Sequence, residues 1–261
     1  MKMASRLDDV TPSASELEEG RKRYAEVQAR IAQAAKRAGR PLGEISLVGV
    51  AKKQPPQRTL AAIAAGLRVL GQSYIQEARE VRPVIEAALA NDPSMSDVKL
   101  EWRMVGRLQT NKAALAARLF EAIETVDRPK LVRTLSRRAS EEGRQLDVLI
   151  QVSLCGEEQK GGCERDELAT LAEQILAADG LQLRGLMTIP AANSDPEAAR
   201  PVFRELRGLR EVLARLDPDL GQGALSMGMS NDLEVAVEEG ATLVRVGTAL
   251  FGPRIDPTAA A

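Results

Sequence analysis

The stretch "LSMGMSNDLEVAVEEGATLVRVGTALFG" (Leu225–Gly252) joins two short apolar runs through an amphipathic segment. "ALSMGM" (Ala224–Met229) and "TLVRVG" (Thr242–Gly247) have the length and apolar content of buried strands. Between them, Asn231 with Glu234 three residues on predicts a helix start, and Gly240 predicts its stop. Strand, helix and strand in so short a span imply a parallel crossover, because parallel neighbours need a helix-length connection. "TALFG" then leaves the second strand through another turn.

Toward the N-terminus the same pair of elements recurs. "ISLVGVA" (Ile45–Ala51) precedes a helix over Arg58–Ala65 stopped by Gly66. "LRVLGQ" precedes a helix over Ile75–Ala90, and "EWRMVG" precedes "NKAALAARLF". "AIETV" leads to Asp127, a predicted N-cap with Pro129 near N1, and a helix ending at Gly143. "DVLIQVSL" precedes a helix over Asp166–Ala178, and "LQLRGLMTI" precedes one opened by Asp195-Pro196. In front of all these, Ser15 with Glu18 predicts a capping box and a long Ala-rich helix that stops at Gly39.

Eight strand–helix units and one extra N-terminal helix in 261 residues predict an α/β fold, a single (β/α)8 TIM barrel. Residues 16–254 are expected to form the barrel, with flexible tails at 1–15 and 255–261. An open doubly wound sheet is the weaker alternative, since no G-x-G-x-x-G follows the first strand.

Composition narrows the function. Lys+Arg 36 against Asp+Glu 37 leaves a net charge of −1, which favours neither nucleic acid nor a membrane surface as partner. No apolar run approaches the roughly 20 residues of a spanning helix. The start lacks the apolar core of a signal peptide, so the expected location is the cytoplasm. The absence of histidine removes Ser-His triads, His-ligated zinc and the commonest general base together. Cys155 and Cys163 make no metal or redox pattern and read as unremarkable thiols on a loop, reactive only if exposed.

In such barrels the active site forms at the C-terminal ends of the strands. Lys52 and Lys53 end strand one, Gln72 and Ser73 strand two, and Arg107 and Gln109 follow strand three. Met187 and Thr188 end strand six, Ser226 and Met227 lie on strand seven, and Arg245, Gly247 and Thr248 close strand eight. Only one of Lys52 and Lys53 can point inward in a regular strand. Periodicity does not choose between them, because both faces of a barrel strand are buried. The plainer alternative makes both lysines solvated rim residues. A desolvated lysine has a lowered amine pKa suited to a Schiff base with an aldehyde. Gly228 with Ser230, and Gly247 with Thr248, stand where barrels place a phosphate. Lysine and cradle together suit an aldehyde that carries a phosphate.

The segments "LVGVAKKQPP", "GQSYIQE", "EWRMVGRLQTNK", "DVLIQVSLCGEEQKGG", "LRGLMTIPA" and the opening stretch resemble the pyridoxal phosphate homeostasis proteins, the YggS/PROSC-like family. The resemblance runs in order from Ile45 to Arg254. It implies a fold like the N-terminal barrel of alanine racemase, with pyridoxal 5′-phosphate held as an internal aldimine. The family's lysine falls on Lys52, and Lys53 takes a variable place. Its phosphate ligands fall on Ser226, Gly247 and Thr248, and its strand-eight arginine on Arg245, expected near the pyridine nitrogen. Met187 and Ser73 are expected beside the cofactor. Three departures stand out: Ser73 replaces a usual Asn, Arg103 and Arg107 replace two usual histidines, and Cys155 sits in the usual "SGEE" loop.

The function so implied is a binding protein for pyridoxal phosphate homeostasis, without established catalysis. An amino-acid racemase-like enzyme is the alternative. Two-base racemisation needs a second acid/base, Tyr24 and Tyr74 are the only tyrosines, and the chain is expected to hold no second domain to supply one. The expected partners are the cofactor and apo-forms of enzymes that use it, with the protein a monomer.

Overall fold

The computed structural model describes residues 10–157 and 160–254. Eight parallel strands close in sequence order, with β8 pairing back onto β1. They are β1 Ser46–Val50, β2 Val69–Gln72, β3 Glu101–Met104, β4 Ala122–Val126, β5 Leu146–Gln151, β6 Leu181–Met187, β7 Ala224–Ser226 and β8 Leu243–Val246. The helices are α1 Ala14–Arg37, α2 Pro56–Ala64, α3 Ile75–Asn91, α4 Ala113–Leu119, α5 Pro129–Glu141, α6 Leu168–Leu176, α7 Arg200–Leu216, α8 Leu233–Glu238 and α9 Thr248–Phe251. The (β/α)8 barrel and its extra N-terminal helix are both present.

Strand parity divides the core into two layers. Val48, Val50, Val105, Leu149, Met187 and Leu243 pack together inside the barrel. Leu47, Leu70, Trp102, Ile123 and Val244 face the other way and join the larger core beneath the helices. Alternating residues of one strand thus serve two separate apolar compartments, which explains the continuous hydrophobic runs of the sequence. Helix α1 covers the seam between α2, α8 and α9. It approaches α2 closely because Gly20 lacks a side chain: a Cβ there would lie 2.8 Å from the Ala61 Cβ.

Several local expectations shift. The capping box of α1 is built from Ser13 and Glu16, two residues before the expected pair, with the Glu16 N–H donating to Ser13 Oγ at 3.2 Å. Glu18 is engaged instead by Arg21 at 2.7 Å, so Ser15 is already helical and lies inside α1 rather than in a tail. The remaining tail expectations at 1–9 and 255–261 lie outside the described residues. Asp127 does not cap α5; the extended Arg128 holds that position, and the Asp127 carboxylate pairs with the Arg128 guanidinium. Asn231 does not cap α8 either. Asp232 takes the position and accepts the Met229 N–H at 2.5 Å, while Asn231 donates to the Asn193 carbonyl. Asp195 does open the turn ahead of α7, accepting the Glu197 N–H at 3.0 Å. Cys163 is buried where its strand-like segment bridges Val152, and burial pushes its thiol pKa up to about 12, so it is not an exposed loop thiol.

Candidate functional site

Val48 and Val50 point into the barrel, and Lys52 follows at the same parity, just past the end of β1. Leu47 and Ala51 belong to the outer layer. Lys52 itself lies in the turn beyond β1, and the interior Arg245 is among the cations that act on its amine. Lys52 is half-buried while Lys53 is exposed. Burial lowers the Lys52 amine pKa, and the Arg254 and Arg245 cations lower it further against an opposing pull from Glu77. More of this amine is therefore unprotonated at neutral pH than in a solvated lysine, the state that attacks a carbonyl.

Beneath the mouth a chain of polar side chains crosses the interior. Arg103 Nη1 donates to Glu101 Oε1 and Arg103 Nε to Glu124 Oε1, each at 2.5 Å. Ser226 Oγ donates to Glu124 Oε2 at 2.5 Å and accepts from Arg245 Nη1 at 2.6 Å. Arg245 Nη2 then donates to the Thr188 carbonyl at 2.8 Å. Burying a guanidinium is costly unless its donors are met, and acceptors here come from β3, β4, β7 and the residue just past β6. Burial lowers the Arg245 pKa, opposed by the carboxylates of Glu124 and Asp232. Burial acts on Arg103 in the same direction, yet Glu124 and Glu101 hold its pKa above the ordinary value.

The structure places the expected site residues unequally. Met187 closes the interior apolar cluster at the end of β6. Gly247 and Thr248 stand at the rim where β8 gives way to α9, with Thr248 exposed. A Cβ on Gly247 would lie 3.4 Å from the Val50 carbonyl, so this backbone runs close beside the end of β1. Ser73 is half-buried at the end of β2, with Gly106 so near that a Cβ there would sit 2.2 Å from the Ser73 carbonyl. Ser226 ends β7, fully buried, and its hydroxyl is engaged by both Glu124 and Arg245. A cavity of about 860 Å³ adjoins the mouth through Ser73 and extends over Tyr74, Arg107, Gln109 and Lys112.

Two residues escaped the sequence reading. Glu124 is an acidic residue inside the apolar run "AIETV", an anomaly that marks an inward polar contact. Glu77 lies in the first turn of α3 and accepts the Lys53 N–H at 2.5 Å; nothing in its local sequence announces that contact. Taken together, a deprotonation-prone lysine, a fixed interior arginine and an exposed hydroxyl with a glycine beside it fit an aldehyde bearing an anionic group. Among the described residues no cluster of metal-binding side chains is present.

The chain matches the family described as "Alanine racemase, N-terminal domain" over residues 23–255. It is 41% identical over 230 residues to the "Pyridoxal phosphate homeostasis protein" of Pseudomonas aeruginosa, covering 88% of this chain and 94% of that one. Its Escherichia coli counterpart is 37% identical over 235 residues, covering 88% and 94%. Among solved structures, PipY of Synechococcus elongatus "with PLP bound" superposes with a TM-score of 0.71 at 34% identity, covering 87% of this chain and 100% of that one. The alanine racemase of Corynebacterium glutamicum shares the fold, with a TM-score of 0.65 at 14% identity, covering 89% of this chain and 62% of that one.

Proposed function

This chain belongs to the pyridoxal phosphate homeostasis proteins, within the alanine racemase N-terminal domain family, and from that premise we propose that it binds pyridoxal 5′-phosphate and holds it in reserve. The relatives' printed names and the cofactor bound to PipY support this reading. The observation that carries it within this molecule is Lys52, half-buried at the barrel mouth with a lowered amine pKa. Its Nζ is the covalent anchor, condensing with the aldehyde carbon to a Schiff base with loss of one water.

Each remaining residue has a part that its position supports. Gly247 and Thr248 hold the phosphate at the rim. Arg245, fixed by Ser226 and the Thr188 carbonyl, takes the ring-nitrogen end, with Met187 and Ser73 lining the ring. Ser226 acts by orienting Arg245 over Glu124. When bound, the cofactor supplies an electrophilic carbon, and a cation at its ring nitrogen weakens the electron sink that amino-acid chemistry requires. Storage and delivery to apo-enzymes, by a monomer in the cytoplasm, follow as the biological reading.

The test is an absorption spectrum of the loaded protein followed by borohydride reduction and peptide mapping. The expected result is a reduced adduct on Lys52 that is lost in Lys52→Ala and kept in Lys53→Ala. An adduct that follows Lys53 instead would reject the assignment.

A further inference from the structure

β1 ends at Val50, and the chain turns through Ala51–Gln54 before α2 begins at Pro56. Within that turn Lys53 has φ +55°, and it is the one non-glycine residue with a positive φ among the described residues. An L side chain in this region crowds its own carbonyl, so the conformation persists only where neighbours hold it. The turn is pinned from both sides. Gln54 donates its N–H to the Ala51 carbonyl at 3.1 Å and its side-chain amide to the Gly252 carbonyl at 3.2 Å. From the other side Glu77, 24 residues along the chain, accepts the Lys53 N–H at 2.5 Å. The strained residue directly follows the anchor lysine, and its peptide is tied to a carboxylate on the neighbouring strand–helix unit.

The same carboxylate acts on the amine itself. Glu77 is half-buried, and its charge counters the burial and the two arginines that lower the Lys52 pKa. Burial in turn raises the Glu77 pKa against the Lys53 N–H and the two lysine charges.

We propose that Glu77 is a positioning residue for Lys52: its carboxylate holds the Lys53 peptide left-handed, and that backbone conformation directs the Lys52 amine to the barrel mouth. This deepens the function proposed above and rests on it. Glycine adopts positive φ at no steric cost, so a glycine at position 53 makes the clamp unnecessary.

A double-mutant cycle tests the inference. Wild type, Glu77→Ala, Lys53→Gly and the double variant are titrated with pyridoxal 5′-phosphate, and the borohydride-trapped fraction on Lys52 is read by peptide mass. Glu77→Ala is expected to weaken capture about tenfold, as release of one strained residue allows. Lys53→Gly in the same chain should restore it to within about twofold of the Lys53→Gly protein. Capture unaffected by Glu77→Ala, or a loss that Lys53→Gly leaves in place, would overturn the inference. Circular dichroism establishes that each variant is folded. Should Glu77→Ala not fold, Glu77→Gln runs the same cycle: a loss removed by Lys53→Gly supports the clamp, and a loss that persists overturns it. An adduct on wild-type Lys52 that is indifferent to Glu77 rejects this inference alone. Wild type with no adduct on Lys52 rejects the proposed function and this inference together.

Discussion

Thr248 is exposed just past β8, beside a glycine whose backbone runs close to Val50, and the proposed function gives its hydroxyl to the phosphate. A hydrogen bond to a dianion is charge-assisted and stronger than one between neutral groups. Thr248→Val keeps the shape and removes the donor. It is expected to cost roughly 1.5–3 kcal/mol of pyridoxal 5′-phosphate affinity while leaving pyridoxal affinity nearly unchanged. Comparative titration with the two aldehydes measures it, and equal losses for both would place the phosphate elsewhere. Ser226 shows what a residue's identity leaves out: the resemblance groups it with Gly247 and Thr248, and the structure adds that its buried hydroxyl joins Glu124 to Arg245. Lys52 shows the converse: its place at the end of a core strand was legible from the sequence, and where periodicity did not choose between it and Lys53 the family resemblance did.

Between elements, the ends of β2 and β3 approach so closely at Gly106 that an added Cβ would lie 2.2 Å from the Ser73 carbonyl and 2.7 Å from the Ser73 Cα. Neither atom belongs to a flexible side chain, so the backbones themselves must part. Gly106→Ala is expected to destabilise the fold by roughly 1–3 kcal/mol, in the range of overpacked core sites. It should also weaken cofactor capture, because Ser73 moves with its strand end. Urea denaturation and the same titration check both; an unchanged midpoint would mean that the loops absorb the clash. The elements themselves were readable from period and punctuation, since strand runs and helix stops depend on neighbours in sequence. The caps were less readable. Ser13 and Ser15 both precede a glutamate at the right spacing, and the structure gives the cap to Ser13 with Glu16 while Glu18 pairs with Arg21.

For the molecule as a whole, α1 is tied across the barrel seam by charge as well as apolar contact. Arg30 grips Glu234 of α8 with Nε at 2.6 Å and Nη2 at 2.8 Å, and Arg37 reaches Glu238 at 2.8 Å. Burial pulls the Glu234 pKa upward, but the Arg30 hydrogen bond and charge outweigh it and hold the carboxyl below its ordinary value. A carboxyl whose folded pKa is depressed stabilises the fold above its unfolded pKa of about 4.3, and that contribution is lost as pH falls through the lower folded value. Glu234→Gln is therefore expected to cost about 1 kcal/mol or less at neutral pH, given the partial exposure of the pair. The difference from wild type should shrink below about pH 4. Denaturation midpoints across that range check it, and a difference independent of pH would assign the effect to packing instead. From the sequence alone came the order of strands and helices, hence the closed barrel, and the expectation that the site forms at the C-terminal ends of its strands. Tertiary structure alone decided that Lys52 is half-buried while Lys53 is exposed, that the Ser226 hydroxyl joins Arg245 to Glu124, and that Glu77 accepts the Lys53 N–H. Periodicity and capping act within a few residues of chain, whereas these contacts join residues 19, 24 and 102 positions apart and exist only once the barrel has closed.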